Sequence, residues 1–191
     1  ALICERYGAA LRDESHRLGL RLYHEGVGDG NVDTIDFTLC GDVPMSEFWM
    51  ANPDHGSIPP IVSAAHLSGN PLVASEAFTA GPENLGWGHD ALRLKQATDP
   101  ALAAGANRFV YHCFIHNPFA AKYRPGIRKG HWGTHMEPTQ TWWEHVGASI
   151  AGYQGRASAL LQAGRPVVDA LVFTGEGAPN AAEPSGSFAG S

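Results

Sequence analysis

The stretch NPLVASEAFT, residues 70–79, contains a short apolar run that ends in a glutamate. Residues 71–75 have polar neighbours on both sides, a pattern typical of a strand that is buried on both faces of a sheet. Glu76 would then lie at the carboxyl end of that strand, where barrels of alternating strands and helices carry their catalytic side chains. The stretch makes Glu76 the first candidate catalytic residue. A charged residue that only closes the strand is the alternative.

The composition indicates a globular chain without a nucleic-acid or membrane partner. Its 191 residues are 43% apolar and 17% charged, enough for one domain or parts of two. The net charge of −6 comes without a basic stripe, which argues against binding to nucleic acid or to an anionic membrane surface. No apolar run approaches the roughly 20 residues of a membrane helix. Cys4, Cys40 and Cys113 are spaced too widely for a disulfide framework or a zinc ribbon, and we interpret them as small buried residues.

Helical and strand patterns alternate along the chain. The patterns predict helical segments over 5–17, 57–67, 90–104 with a break at Asp99-Pro100, and 141–163, and strands over 20–23, 35–40, 71–75, 107–114 and 167–173. Such alternation predicts a mostly parallel sheet with helical crossovers. A complete eightfold barrel takes about 250 residues, so this chain could hold only part of one. Residues 119–138 are rich in rings, including Trp132, and we expect a functional loop there.

Three glutamates, Glu25, Glu47 and Glu76, each fall just after an apolar stretch that is predicted to be a strand. Because parallel strands of a barrel point the same way, these side chains could converge on one rim. A rim of carboxylates with Trp and His suits glycoside cleavage, and the same oxygens could instead bind calcium. Solvated loop acids are the alternative, above all for Glu25. Phe48 and Trp49 beside Glu47 would form either a lid over the core or a platform for a sugar.

The ten histidines do not follow the spacing of a zinc site. The sequence contains no His-Glu-x-x-His, His-x-His or Cys-x-x-Cys, and His112 and His116 fall on a strand and the loop beyond it. A Gly-x-Ser-x-Gly elbow and a glycine-rich phosphate loop are also missing from the sequence. We interpret the histidines as neutral hydrogen-bond partners for sugar hydroxyls, with a structural role as the alternative for each one.

Four ordered motifs resemble those of the α-L-rhamnosidases of glycoside hydrolase family 106. They are GDVPMSEFW at 41–49, LVASEAFT at 72–79, GANRFVYH at 105–112, and GTH at 133–135 followed by TWW at 141–143. The likeness runs from about residue 18 to residue 176. Members of that family are large multidomain enzymes with a (β/α)8 catalytic barrel, which invert the anomeric centre and use calcium.

The resemblance implies an α/β fold, namely the C-terminal part of a (β/α)8 TIM-type barrel followed by the start of an α/β domain. Residues 1–139 would belong to the barrel, and 140–176 would be a connecting helix and the first strand of the next domain. The composition of 177–191, rich in Ala, Pro, Gly and Ser, itself predicts a disordered tail. The substrate would be an oligosaccharide or rhamnosylated glycoside with a terminal rhamnosyl residue. The full-length protein would be periplasmic or secreted, although the sequence itself leaves the compartment open.

The resemblance also implies roles for individual residues. Glu76 would be a catalytic carboxylate, the base that activates water, and Glu47 an active-site acid near the sugar and a ligand of the calcium ion. The residues expected to contact the substrate are His112, His135, Trp143 and Glu25. An inverting enzyme needs a second catalytic carboxylate about 6.5 to 9.5 Å from the first, and we expect it upstream of Ala1.

Two other functions stay open on the sequence alone. A retaining glycosidase similar to β-galactosidases would share the barrel and the following α/β domain, with its two carboxylates only about 5 to 5.5 Å apart. A carbohydrate-binding piece without turnover would explain the many rings and the incomplete barrel. In either case an isolated part of a barrel exposes strand edges and apolar interior, so we expect this chain alone to be inactive and prone to aggregate.

Overall fold

The computed structural model describes residues 2–27, 31–50, 57–81, 88–116, 118–119, 122–123, 132–134, 136 and 141–180. Four strands lie in this part of the chain: β1 (Tyr23–Glu25), β2 (Val43–Trp49), β3 (Ala74–Thr79) and β4 (Arg108–Tyr111). They form one sheet in the order β1-β2-β3-β4, and every neighbouring pair is parallel. The predicted parallel α/β sheet is therefore confirmed.

Helices connect the strands along one side of the sheet. A π-helical turn, Cys4–Gly8, continues into α1 (Ala9–Arg17), and the other helices are α2 (Thr34–Thr38), α3 (Ile58–Ser68), α4 (Ala91–Ala104) and α5 (Thr141–Ala163). Sequential parallel strands with helical crossovers are consistent with part of a (β/α)8 barrel. None of the helices among these described residues combines the length and apolar character needed to traverse a lipid bilayer.

The bounds of α3 and α5 confirm the helices predicted from the sequence, and local chemistry explains them. Pro59 and Pro60 follow Ile58 in the first turn of α3, where a missing N–H leaves no hydrogen bond unmade. Gly69 ends α3 with φ of 69°, and Gly105 ends α4 with φ of 110°, both in the left-handed region that glycine adopts without a steric penalty. At the start of α4, the Asp90 side chain accepts a hydrogen bond of 3.0 Å from the Arg93 amide.

The hydrophobic core lies between the sheet and the helices. Its largest cluster of buried residues comprises Phe48, Ile58, Ala77, Phe78, Leu94, Ala97, Ala101, Ala106, Met136 and Ile150. The Phe48 ring meets Phe78 edge to face at 5.0 Å between centroids, an arrangement that aromatic rings prefer. The opposite face of the sheet is only partly covered: Tyr23, Arg108 and Val110 are exposed there, whereas Val43, Met45 and Ala74 form a small buried cluster on the same face. We call this second face the open face, because its outer strands carry exposed side chains.

Two predicted elements are corrected by the structure. The apolar run 35–40 is not a strand, because Asp33 caps a short helix there by accepting a 3.1 Å hydrogen bond from the Asp36 amide; α2 follows, and β2 begins only at Val43. The predicted break at Asp99-Pro100 is also wrong, and α4 is continuous through both residues. The Asp99 carboxylate binds the Lys95 ammonium and the Tyr153 hydroxyl rather than capping a backbone amide.

The last predicted strand, residues 167–173, does not form within the described part of the chain. Val167, Leu171 and Phe173 are 91%, 84% and 81% exposed, and a strand needs a neighbour to satisfy its backbone groups. Assignment of this segment to a following domain stays a prediction.

The tail was predicted to be disordered from its composition. Asn180 exchanges backbone hydrogen bonds of 3.0 and 2.9 Å with residues 32 and 34. Residues 181–191 lie outside the described residues, so disorder of the tail stays a prediction.

Candidate functional site

The strand register places the three candidate glutamates on the open face of the sheet. Glu47 pairs with Glu76 across β2 and β3, and Glu25 pairs with Met45 across β1 and β2. Side chains of paired residues share a face, and so do residues two apart on one strand. All three carboxylates therefore point away from the helices. Each lies within its strand rather than beyond it, because β1 and β3 run further toward the carboxyl side than the sequence pattern predicted and β2 lies later in the chain than the predicted strand 35–40.

A bulge in β3 shapes the site next to Glu76. The register shifts so that Glu47 pairs with Glu76 but Trp49 pairs with Thr79, which leaves one extra residue on β3. Phe78 takes up the extra length with φ of 70°, a conformation that a non-glycine residue rarely adopts. As a result both Ala77 and Phe78 are buried in the core cluster. Thr79 returns to the face of the sheet that carries Glu76.

Glu76, Thr79 and His112 form one hydrogen-bonded group. The His112 Nδ1 atom lies 2.9 Å from Glu76 Oε1 and 2.9 Å from Thr79 Oγ1, and the Thr79 hydroxyl donates to Glu76 Oε1 at 3.2 Å. These distances are satisfied together when Nδ1 carries a proton and Thr79 donates its own. The Glu76 side chain keeps 31% of its exposure and His112 only 16%. A rigidly held carboxylate is thus presented to an open face.

The position of His112 is set by the backbone around it. Its amide donates to the Ala77 carbonyl at 2.9 Å, and its carbonyl accepts from the Thr134 amide at 2.8 Å. Gly133, with φ of 101°, lets the segment 132–134 approach closely, since a Cβ there would lie 2.9 Å from Cys113 Sγ and 3.3 Å from the His112 ring. Residues 132–134 are therefore held beside His112, which contacts Glu76.

The carboxylates act on one another electrostatically. The pKa of Glu25 is raised to about 7, first by burial and then by the negative charges of Glu76 and Glu47. A carboxyl group with such a pKa is partly protonated at neutral pH and can donate a hydrogen bond as well as accept one. The alternative reading of Glu25 as a fully solvated loop acid is wrong, since the residue is the last of β1 and only partly exposed.

Two tryptophans stand at the same edge of the sheet. Trp49 is the last residue of β2, and its ring meets that of Trp132 edge to face at 5.1 Å between centroids, with 75° between the planes. Trp132 is 48% exposed. The Gly133 amide donates to the Ala80 carbonyl at 2.9 Å and so ties Trp132 to the end of β3. The sequence offered Trp49 either as a core lid or as a sugar platform, and its strand position puts it on the open face with Glu47.

The remaining predicted site residues are placed differently. Trp143 lies in the first turn of α5 and packs against the core cluster, with its ring 5.5 Å from Trp142 and 6.4 Å from Phe114. Its described ring contacts link it to the core rather than to Glu76, and a role in substrate binding stays a prediction. His135 lies outside the described residues, so its predicted role is neither supported nor opposed.

Thr79 and the bulge were missed by the sequence reasoning. A signal was present, since strict alternation from Glu76 would put apolar Phe78 on the open face and polar Thr79 in the core. A bulge resolves this mismatch, because one extra residue reverses the facing of everything after it. Reading the phase of the alternation beyond Glu76 would have identified Thr79 as a site residue.

The described residues provide only part of a possible calcium site. Carboxylate oxygens such as those of Glu47 and Glu76 suit a hard cation, and calcium takes six to eight oxygen ligands. Within the described ranges, however, no three or more His, Cys, Asp or Glu side chains converge as metal ligands. A calcium ion bound here would take further oxygen ligands from outside the described residues.

Comparisons with known proteins place this site in a family. A sequence profile described as alpha-L-rhamnosidase, of glycoside hydrolase family 106, matches residues 1–185. A Formosa agariphila protein provisionally named a beta-glucuronidase is 36% identical over 182 residues, which are 95% of this chain and 15% of that protein. The solved structure of a rhamnosidase from Novosphingobium sp. PP1Y superposes with a TM-score of 0.76 at 28% identity, covering 86% of this chain and 16% of that one.

The chain therefore spans about one sixth of the length of these two relatives. The profile match extends over nearly the whole chain, further than the stretch over which the four motifs suggested the likeness. The similarity to the solved rhamnosidase structure shows that the fold is shared as well. The resemblance seen in the sequence is confirmed: the chain belongs to the alpha-L-rhamnosidase family of glycoside hydrolases, family 106.

Proposed function

We propose that the protein containing this chain is a glycoside hydrolase that removes terminal α-L-rhamnosyl residues from oligosaccharides or other glycosides, with inversion at the anomeric carbon. One observation carries the proposal: Glu76 is held by Thr79 and His112 on the open face of a parallel sheet, directly beside Glu47, in a chain of this family. The sheet and its helices would form one sector of a (β/α)8 catalytic barrel, and the open face would be its interior.

Glu76 would serve as the general base. It takes a proton from a water molecule as that water attacks the anomeric carbon, and an acid on the other side protonates the departing oxygen. The Thr79 hydroxyl and the His112 Nδ1–H converge on Oε1 and fix the plane of the carboxylate. Oε2 is then the oxygen that we expect to receive the proton. Positioning of this kind matters because a misplaced base loses most of its effect.

The sheet geometry argues against Glu47 as the acid partner of an inverting pair. Neighbouring strands lie about 4.8 Å apart, whereas inverting enzymes separate their two carboxyl groups by about 6.5 to 9.5 Å to leave room for water. Glu47 is in register with Glu76, so the Cα atoms of the two residues lie about one strand spacing apart, below that range. We therefore assign Glu47 to contact with the sugar or with calcium, and we expect the acid from a part of the protein outside this chain.

The same closeness supports a second candidate, a retaining glycosidase, in which the carboxyl groups lie about 5 to 5.5 Å apart and one of them attacks the sugar. In that case Glu47 and Glu76 would be the catalytic pair. The provisional name of the Formosa relative points to a β-glycoside as the substrate of such an enzyme. A piece that binds carbohydrate without cleaving it is the remaining alternative.

Calcium is part of the proposal on the ground of the family resemblance and of the oxygen donors at Glu47. When bound, the ion would supply positive charge that stabilises neighbouring carboxylates and sugar hydroxyls. We expect exhaustive chelation of the full-length enzyme to lower activity and added calcium to restore it. Full activity after chelation, with no metal found by elemental analysis, would remove calcium from the proposal.

Proton NMR of the first sugar released by the full-length protein tests the function. With 4-nitrophenyl α-L-rhamnopyranoside, we expect rhamnose to appear first as the β-anomer, which then equilibrates. First appearance of the α-anomer would establish retention and favour the Glu47–Glu76 pair. Binding of rhamnosides without release of rhamnose would identify a carbohydrate-binding protein, and cleavage of β-glucuronides alone would replace the proposed substrate.

A further inference from the structure

Trp49 and Trp132 together form an aromatic corner at the edge of the site. Trp49 lies two residues beyond Glu47 on β2 and shares its face, and it pairs in register with Thr79. At a rise of about 3.3 Å per residue, the corner stands roughly 6 to 7 Å further toward the carboxyl side of the sheet than the Glu47–Glu76 pair. That displacement is comparable with the width of a pyranose ring.

The shape of the corner suits a flat ring. The planes of the two indole rings make an angle of 75°, so the face of one ring and the edge of the other line the two sides of a concave corner. A ring laid against the exposed indole face would remove apolar surface from water and gain contacts with both walls. The half-exposure of Trp132 leaves room for such a partner.

The corner differs from the tryptophan pair at the start of α5. Trp142 and Trp143 also meet edge to face, at 5.5 Å, but both pack against the buried core cluster. Among the described residues, Trp132 instead contacts the Trp49 ring and is tied to the sheet by the hydrogen bond from the Gly133 amide to the Ala80 carbonyl. A ring that served only to stabilise the fold would be expected to bury more of its area.

We propose that Trp49 and Trp132 form the subsite that binds the leaving group of the substrate, by stacking on a ring with a flat apolar face. This proposal rests on the proposed function. A terminal sugar attacked by water beside Glu76 would lie level with the carboxylates, and its leaving group would extend past them toward the carboxyl ends of the strands. The recognised chemistry is either the C–H face of a second sugar or the aromatic ring of an aglycone. The corner thereby determines which glycosides are preferred.

The test compares three rhamnosides in the full-length protein: methyl α-L-rhamnopyranoside, 4-nitrophenyl α-L-rhamnopyranoside, and a rhamnosyl-glucose disaccharide. Trp132→Ala should lower kcat/KM for a ring-bearing substrate about threefold to tenfold more than for the methyl glycoside, the range expected for one aromatic contact. Trp132→Phe keeps a flat ring and should restore most of that difference. A differential loss confined to the nitrophenyl glycoside identifies an aromatic aglycone, and one confined to the disaccharide identifies a sugar.

Equal losses for all three substrates, or no loss, would overturn the proposal. Calorimetric titration separates this outcome from failure of the proposed function. If no rhamnoside is cleaved, the function is wrong, but the binding of nitrophenyl over methyl glycosides can still be compared between the wild type and Trp132→Ala. A binding preference for the ring that Trp132→Ala abolishes supports the corner whatever the reaction is. A preference that the variant leaves intact contradicts it.

Discussion

The two faces of the sheet are made by the same strands and yet carry different side chains. In β3, Ala77 and Phe78 are fully buried against the helices, whereas Glu76 keeps about a third of its side chain exposed on the open face. Burial of aromatic and aliphatic surface stabilises the fold on one side. On the other side, the same rigid strands hold like-charged carboxylates and partly exposed rings in fixed positions. Substitutions on the two faces should therefore affect different quantities, stability on one and catalysis on the other.

The largest effect on the open face is expected from Glu76→Gln in the full-length protein. Glutamine keeps the size and much of the hydrogen bonding to Thr79 and His112 but cannot accept a proton from water. General-base assistance is worth about 10²- to 10⁴-fold, so kcat on an aryl rhamnoside should fall by at least that order while substrate binding persists. The Tm should change little. A stable and fully active variant would show that the base is another residue.

On the covered face, Phe48→Ala should act on stability instead. Phe48 is 1% exposed and packs edge to face on Phe78, so its loss leaves a cavity that costs about 3–5 kcal/mol. Urea unfolding followed by fluorescence would measure the loss, and kcat of the protein that remains folded should stay close to that of the wild type. Leu92→Ala, at an exposed position of α4, is the matched control and should change stability little. A large loss of kcat in folded Phe48→Ala would mean that the two faces are not separable.

The same contrast explains how far the sequence could be interpreted. Helices α3 and α5 were predictable because apolar residues recur with helical spacing over a long stretch and glycine or proline marks the helix ends. The parallel order of the strands followed from the alternation of strands and helices. Short apolar runs were ambiguous, which is why 35–40 was predicted to be a strand although Asp33 caps a helix there. The pairing of Glu47 with Glu76 depends on strand register, a long-range property that a local pattern does not contain.

A smaller effect is expected from Thr79→Val, which sharpens the distinction between a base and the residue that positions it. Valine keeps the shape but removes the hydroxyl that lies between Glu76 and His112. A hydrogen bond to a charged group is worth about 1.5 kcal/mol or more, so kcat should fall about tenfold with KM nearly unchanged. Thr79→Ser, which retains the hydroxyl, should recover most of the rate. An equal defect in both variants would indicate a packing role for Thr79.

The smallest effect concerns Glu25, and it appears in the dependence of stability on pH. Burial and the charges of Glu76 and Glu47 raise the pKa of Glu25 from 4.5 to about 7 in the folded protein. The folded state then holds the proton more tightly than the unfolded state, so the stability that Glu25 contributes is complete below about pH 4.5 and is lost as the pH rises through 7. Glu25→Gln stays neutral and should reduce the fall in Tm between pH 5 and pH 8. Glu14→Gln, at an exposed residue of α1, is the control. Parallel curves of Tm against pH for the wild type and Glu25→Gln would show that Glu25 is not held among its acidic neighbours.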